Sequence, residues 1–341
     1  MLDIDFNDTI VVCNNYYKKY LLTYFSDKKL FLNVKFYTKE SFVEEFYFKY
    51  SDNTISYLLE KYEYKIDIIK NYLKNLYYIE DREYKSVKLQ FLHNLKQELI
   101  NNGLIVFGNT DLLKDKKIIV IGYPYLLSYE RNLFSKLNAE IIEEKSEFEI
   151  KNVYECKNIN DEINLVANKI CELIENNIPV NQIKIVGIND DYSNEIERIF
   201  KEYNIPIKIN NEVSLYSLES VQKFIENINN LEDALKYLSP DISKIIVGIC
   251  NKYVKVTNNE VKKELIIYDL RNTYIDRTTM KNYIEVVDIF YPFKDEYVFV
   301  MNFNTNSFPV VFKDEEYITD NIGKEVGKDA INIKNKAYKN S

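Results

Sequence analysis

Residues 161–209 constrain the fold most, because apolar periodicity and turn signals alternate there within a short span. Apolar residues recur at i, i+3, i+4, i+7, i+8 and i+11 from Ile163, which predicts a helix with one apolar face. A strand-like run at 183–188 and a second amphipathic helix follow, and Asn204 and Pro206 end that helix before another strand. Helix, strand, helix and strand in this order are typical of a parallel α/β sheet.

The N-terminal part shows the same rhythm. Residues 9–13 predict a buried strand, and Asn14 is placed to cap the helix that follows. Residues 33–37 predict a second strand, after which Thr38 can cap another helix. Further strands are predicted at 117–123 and 138–142, whereas 54–102 reads as helical almost throughout. We therefore predict an α/β domain over 1–148 with a helical insertion at about 54–102.

A polar linker is expected near 145–152, and a second α/β domain over 152–341. Residues 215–285 are mainly helical in pattern, and we place a helical insertion at about 215–280. Two strands are predicted at 283–289 and 297–303. The charged segment from Lys313 predicts turns and one short helix. The predicted fold class is thus α/β, with two parallel-sheet domains that each carry a helical insertion.

Composition limits the chemistry. The chain has seven glycines, and none form the patterns GxGxxG or GxxxxGK[ST]. A loop that binds phosphate through backbone amides needs glycine, because some of its positions have positive φ and the anion approaches closely. The net charge of −8 argues against a protein that coats nucleic acid by bulk electrostatics, but leaves room for a local basic groove.

Cellular location follows from the cysteines and from hydropathy. The four cysteines are scattered without a CxxC pair, so we expect buried thiols in a reducing cytoplasm and no bound metal. No apolar run approaches the roughly 18 residues of a membrane helix. The acidic start of the chain is unlike a signal peptide. We expect a cytoplasmic protein that does not associate with a membrane.

Two segments carry a resemblance to a known family. Residues 181–209 and 297–309 are similar to the second motor domain of UvrD-like superfamily 1 helicases, in which a strand and helix end in an N/G-I-P turn and a later strand leads to a proline. The matching residues are Ser193, Ile196, Glu197, Asn204, Ile205, Pro206, Val298, Phe299, Phe303, Asn304 and Pro309. Within that family, residues 119–123 with Leu126 and Glu130 resemble the Walker B-like segment of AddB-type subunits of helicase–nucleases. The resemblance implies two RecA-like (P-loop NTPase-like) domains.

The chain departs from the family at the positions that handle ATP. The phosphate-binding loop is replaced by a segment that contains Lys18 and Lys19 but no glycine. Ile121 stands where the family has an acidic magnesium ligand, just before Gly122, and Ile188 stands where it has an arginine for the γ-phosphate. We therefore expect no cofactor, no ATP site and no catalytic residue in this chain.

Two other features of the sequence are candidates for chemistry. The family's nuclease domain would follow this region, and the (D/E)xK triplets at 63–65, 83–85 and 143–145 lack a preceding strand with a suitably spaced Asp, so we expect no nuclease site in these residues. Asp190 and Asp191 follow a central strand, where α/β sites usually lie, and could bind Mg²⁺ or a basic partner. The favoured alternative is that they cap the next helix and interact with its dipole.

The function implied by the resemblance is that of a non-catalytic or truncated helicase–nuclease subunit. Such a subunit would guide DNA during double-strand break end processing and recombinational repair. Its partners would be single-stranded or duplex-end DNA and an AddA-like helicase–nuclease subunit. The alternative is a degenerate motor fold that serves as a scaffold for a partner protein and touches no nucleic acid; the acidic net charge favours this alternative slightly.

Overall fold

The computed structural model describes residues 4–143, 150–209, 212–276, 282–304, 307–308 and 311–340. The strands in chain order are β1 (Thr9–Val12), β2 (Val34–Tyr37), β3 (Phe48–Tyr50), β4 (Ile105–Phe107), β5 (Lys117–Val120), β6 (Glu140–Ile141), β7 (Ile183–Val186), β8 (Ile207–Lys208), β9 (Glu212–Ser214), β10 (Tyr274–Asp276), β11 (Ile284–Val286) and β12 (Tyr297–Val300). The helices are α1 (Asn15–Asp27), α2 (Lys39–Phe46), α3 (Thr54–Tyr62), α4 (Ile66–Leu76), α5 (Val87–Asn101), α6 (Ser128–Lys136), α7 (Ile159–Glu175), α8 (Asp190–Glu202), α9 (Glu219–Glu226), α10 (Leu231–Leu235), α11 (Pro240–Lys252), α12 (Asn259–Asn272), α13 (Asp320–Gly323) and α14 (Ala330–Asn340). The predicted α/β class, with parallel sheets and helices, is confirmed.

The first sheet is parallel, with strand order β2-β1-β5-β6. Its central strand β1 is buried along its length, as expected for a strand covered on both faces. The two predicted caps are present: Asn14 Oδ1 accepts a hydrogen bond from Tyr17 N at 2.7 Å, and Thr38 Oγ1 accepts one from Ser41 N at 3.2 Å. These caps fix where the chain turns from strand into α1 and α2.

The second sheet is also parallel, with strand order β12-β7-β11-β8. The predicted run of helix, strand, helix and strand is confirmed as α7, β7, α8 and β8. Helix α8 ends at Glu202, and Asn204 then adopts a positive φ of 56° before Pro206. Apolar residues of α7, α8 and β7 form the core of this sheet, among them Ile170, Ile185 and Phe200.

The two helical segments, α3–α5 and α9–α12, share one buried apolar cluster. Fully buried members come from both segments, for example Leu89 and Leu92 from α5, Phe224 from α9 and Leu270 from α12. An ion pair joins the segments, where Lys70 Nζ lies 3.5 Å from Asp269 and 3.7 Å from the ring centroid of Tyr268. Helical structure in both segments is confirmed, and their cores are continuous with each other.

Some predicted details are wrong. Residues 274–276, expected to be helical, form β10, which pairs with β9 in an antiparallel ribbon. A second short ribbon, β3 with β4, flanks the first helical segment and was not predicted. The tail holds two α-helices, where one was expected. Pro309 and most of the predicted linker at 145–152 lie outside the described residues. The division into domains at 1–148 and 152–341 stays a prediction.

No helix in the described part of the chain is both long and apolar enough to span a bilayer.

Candidate functional site

The carboxyl edge of the first sheet, where parallel α/β proteins usually bind ligands, is filled by protein atoms. Asn14, which follows β1, donates a hydrogen bond through Nδ2 to the Gly122 carbonyl, which follows β5. Gly122 has φ +74°, and a Cβ at this position would lie 2.3 Å from Cγ of Tyr17. The Tyr17 ring is completely buried. The junction of β1 and β5 is therefore closed by a tyrosine ring and an amide bridge.

The lysines of the predicted degenerate loop lie on α1 and point elsewhere. Lys18 is exposed, with Nζ 5.8 Å from the ring centroid of Phe36. Lys19 Nζ lies 3.1 Å from Glu285 Oε1 on β11 of the second sheet. Of these two lysines, only Lys19 contacts the second sheet in the part of the chain that the structure describes. Ile188 is half-buried and packs against the apolar cluster of the second sheet.

A chain of ion pairs crosses from α1 into the second sheet. Lys184, in the middle of β7, has a side chain only 5% exposed, and its Nζ lies 3.0 Å from Glu285 Oε2 and 3.8 Å from Glu296 Oε1. The parallel register places Lys184 beside Glu285. Its strand neighbours Ile183 and Ile185 point to the opposite face, into the apolar core, because strand side chains alternate.

The two carboxyl groups that face Lys184, those of Glu285 and Glu296, have pKa values shifted in opposite directions. Burial alone would raise the pKa of Glu285, but the hydrogen bond and charge of Lys184, with the charge of Lys19, hold it below its ordinary value. Burial raises the pKa of Glu296 above its ordinary value, against the charge of Lys184. Divergent carboxyl groups are typical of acid–base sites. Here both carboxyl groups face the same buried ammonium group, and Lys19 adds a second positive charge beside Glu285.

A cavity of about 450 Å³ lies beside these ion pairs, between α1 and the second sheet. Tyr283 and Tyr291 line it together with the charged side chains of Lys19, Glu285 and Glu296. Removing Lys184 would leave Glu296 without this cation and Glu285 with only the exposed Lys19, at a cost of about 3–5 kcal/mol. Breaking the Lys19–Glu285 pair should cost no more than about 1 kcal/mol, because Lys19 is 63% exposed. Lys184 therefore contributes more to stability than Lys19, which adds an exposed contact between α1 and the second sheet.

Aromatic residues that follow β11 cover the carboxyl edge of the first sheet. The ring of Tyr291 meets that of Tyr16, at the start of α1, with centroids 5.5 Å apart. The ring of Phe290 meets that of Tyr125, which follows β5, with centroids 6.2 Å apart. Burial raises the pKa of Tyr291, with smaller contributions from Glu296 and Glu285. The segment after β11 therefore covers the carboxyl edge of the first sheet, where a ligand would otherwise bind.

Asp190 and Asp191 are exposed in the first turn of α8. The cap of this helix is Asn189, whose Oδ1 accepts a hydrogen bond from Tyr192 N at 3.3 Å. The predicted capping by Asp190 or Asp191 is therefore wrong, although both carboxylates lie where they favour the helix dipole. Among the described residues, no group of three or more His, Cys, Asp or Glu side chains is placed to hold a metal ion. A role for Asp190 and Asp191 in binding stays a prediction.

A polar network that was not predicted lies beside these aspartates. Glu162 on α7 accepts hydrogen bonds from the Tyr192 hydroxyl at 2.5 Å and from Asn302 N at 2.8 Å. Asn302 also accepts bonds at its Oδ1 from Asn304 Nδ2 at 2.7 Å and from Ser307 Oγ at 3.0 Å. The network ties α7 and α8 to the carboxyl end of β12. The sequence holds no signal for it, because the partners are far apart along the chain.

No protein-family model matches the chain.

Proposed function

We propose that the chain is an AddB-type subunit with two RecA-like domains that guides single-stranded DNA at duplex ends without hydrolysing ATP. It works beside an AddA-like helicase–nuclease subunit in double-strand break processing and recombinational repair. The two parallel sheets, each with an inserted helical segment, support this proposal. The similarity of residues 181–209 and 297–309 to UvrD-like helicases is the reason for proposing this family in particular.

The closed carboxyl edge of the first sheet carries the proposal. A motor domain would open this edge to the phosphates of ATP, through a glycine-rich loop before the first helix. In this chain Tyr17 and the Asn14–Gly122 bridge fill the edge, and Phe290 and Tyr291 cover it. On this proposal the chain keeps two parallel-sheet domains, whereas side chains occupy the edge at which a motor would bind its nucleotide.

Binding to single-stranded DNA and ATP hydrolysis test the proposal together. In a filter-binding titration with an oligothymidylate, we expect the logarithm of the affinity to fall linearly with the logarithm of the salt concentration, because lysines displace counterions from phosphates. We expect no ATP hydrolysis above background, with or without DNA. Absence of DNA binding at low salt would rule out DNA guidance, and DNA-stimulated hydrolysis would rule out the non-motor role.

The alternative function is a scaffold that binds a partner protein and no nucleic acid. The net charge of −8 favours it, because a negative surface repels a polyanion. The same titration separates the two functions. A scaffold would show no DNA binding at any salt concentration.

A further inference from the structure

Aromatic rings and lysines come together where the tail of the chain crosses the carboxyl end of the second sheet. We name this the basic aromatic surface and define it by Phe303, Phe308, Phe312, Lys334, Lys336, Tyr338 and Lys339. The Phe303 and Phe308 centroids are 5.0 Å apart, and Tyr338 lies 5.3 Å from Phe308 and 5.6 Å from Phe312. Four aromatic side chains from three separate segments thus form one continuous surface.

Phe303 distinguishes this surface from an ordinary packing cluster. Its side chain is 68% exposed, although its ring contacts that of Phe308. The rings of Phe308, Phe312 and Tyr338 are half-buried, and Tyr338 of α14 contacts the other two. An exposed ring on a rigid aromatic base leaves a free face for another flat group to stack on.

The charge of α14 is opposite to that of the chain as a whole. Lys334, Lys336 and Lys339 lie on this helix, which has no acidic residue, whereas the whole chain has a net charge of −8. Lys334 Nζ lies 3.7 Å from the ring centroid of Phe312, and Lys336 and Lys339 are exposed. Burial raises the pKa of Tyr338 and the charge of Asp288 adds to this shift, so one carboxylate also lies near this ring. The three lysines make α14 itself a basic helix.

We propose that the basic aromatic surface binds single-stranded DNA, with a base stacked on Phe303 and phosphates beside the lysines of α14. This rests on the proposed function and adds the residues that perform it. Sites for single strands combine aromatic faces for the bases with lysine or arginine for the backbone, and they tolerate any sequence because every base has a π-face. A duplex fits this surface less well, because its bases are already stacked on each other.

Phe303→Trp tests stacking directly, because the chain contains no tryptophan and the new indole is the only one. On titration with an oligothymidylate, we expect the indole fluorescence to be quenched in proportion to binding, and the quenching to be reversed by salt. Phe31→Trp is the matched control, since Phe31 is a 99% exposed phenylalanine on the first domain. Its fluorescence should not change with DNA.

Two further variants test how much Phe303 and the lysines of α14 each contribute to DNA binding. Phe303→Ala should weaken binding of the oligonucleotide between about fivefold and a hundredfold. The triple change Lys334→Gln, Lys336→Gln and Lys339→Gln should reduce the slope of log affinity against log salt by about 2. Lys201→Gln, at an exposed lysine on α8, is the control for the lost charge and should leave most of that slope intact.

The outcomes are distinguishable. If the unaltered protein does not bind the oligonucleotide, the proposed function fails and this surface with it. If the unaltered protein binds, but Phe303→Trp is not quenched and Phe303→Ala binds equally well, DNA binds elsewhere and only the surface is overturned. Quenching that salt does not reverse would also overturn it, because phosphate contacts to α14 require salt dependence. Circular dichroism of each variant confirms that it is folded.

Discussion

At the scale of a single residue, Gly122 determines whether the edge of the first sheet can close. Its left-handed backbone costs any other residue about 1–2 kcal/mol. A Cβ 2.3 Å from the buried Tyr17 ring adds overpacking of about 1–3 kcal/mol. We therefore expect Gly122→Ala to lower the free energy of unfolding by about 2–5 kcal/mol. Urea denaturation followed by far-UV circular dichroism measures this loss.

Gly103→Ala is the matched control for that change. Gly103 also has a positive φ, +66°, but no atom lies within 4 Å of the position of its Cβ. Only the backbone penalty of about 1–2 kcal/mol should remain. Equal losses in the two variants would mean that Tyr17 is free to move away from Gly122, and that the edge of the first sheet is open.

At the scale of elements, Lys96 on α5 holds the end of α4. Its Nζ donates hydrogen bonds to the Leu76 carbonyl at 3.3 Å and the Ile79 carbonyl at 2.5 Å, and lies 4.6 Å from the ring centroid of Phe48. Burial lowers the pKa of Lys96 to about 8, against the smaller opposing charges of Glu80 and Asp81. The ammonium group is therefore less favourable in the folded protein than in the unfolded chain.

The pKa of Lys96 predicts a pH dependence of stability. In the unfolded chain the pKa of a lysine is about 10.4, so between pH 8 and 10.4 the unfolded state binds more protons and stability rises with pH. We expect the Lys96 contribution to increase by roughly 1 kcal/mol from pH 7 to pH 9. Urea denaturation of the wild type and of Lys96→Met at both pH values isolates this contribution, because the other titrating groups are the same in both proteins. If the unfolding free energies of the two proteins change equally between pH 7 and pH 9, the lowered pKa of Lys96 is contradicted.

Short-range sequence patterns predicted most helices and strands. They could not predict which residues distant in sequence would pair. Helical periodicity located α7 and α8, and the side chains of Asn14 and Thr38 marked two caps, because both signals involve near neighbours in sequence. The three-residue strands β9 and β10 were missed, since runs this short show no period. Lys184 appears in the sequence as one charge in an apolar strand, but its partner Glu285 is 101 residues away and is defined only by strand order.

At the scale of the whole molecule, the shared helical core connects the two halves of the chain. Helices α3–α5 come from the first half and α9–α12 from the second, yet their apolar side chains form one buried cluster. Each sheet has a separate core of its own. A cavity in the shared cluster should therefore loosen helices from both halves, whereas a cavity in one sheet should affect only its own layer.

Leu270→Ala and Ile196→Ala test this connection by hydrogen exchange and mass spectrometry. Both residues are fully buried and lie in the second half, Leu270 on α12 in the helical cluster and Ile196 on α8 in the core of the second sheet. Each change should cost about 2–5 kcal/mol, so their effects are comparable in size. Leu270→Ala should speed exchange in α3–α5 as well as in α9–α12, because opening of one cooperative unit exposes all its amides. Ile196→Ala should speed exchange in α7 and α8 and leave α3–α5 unchanged. If the effect of Leu270→Ala is confined to α9–α12, the two helical segments are independent units that merely touch.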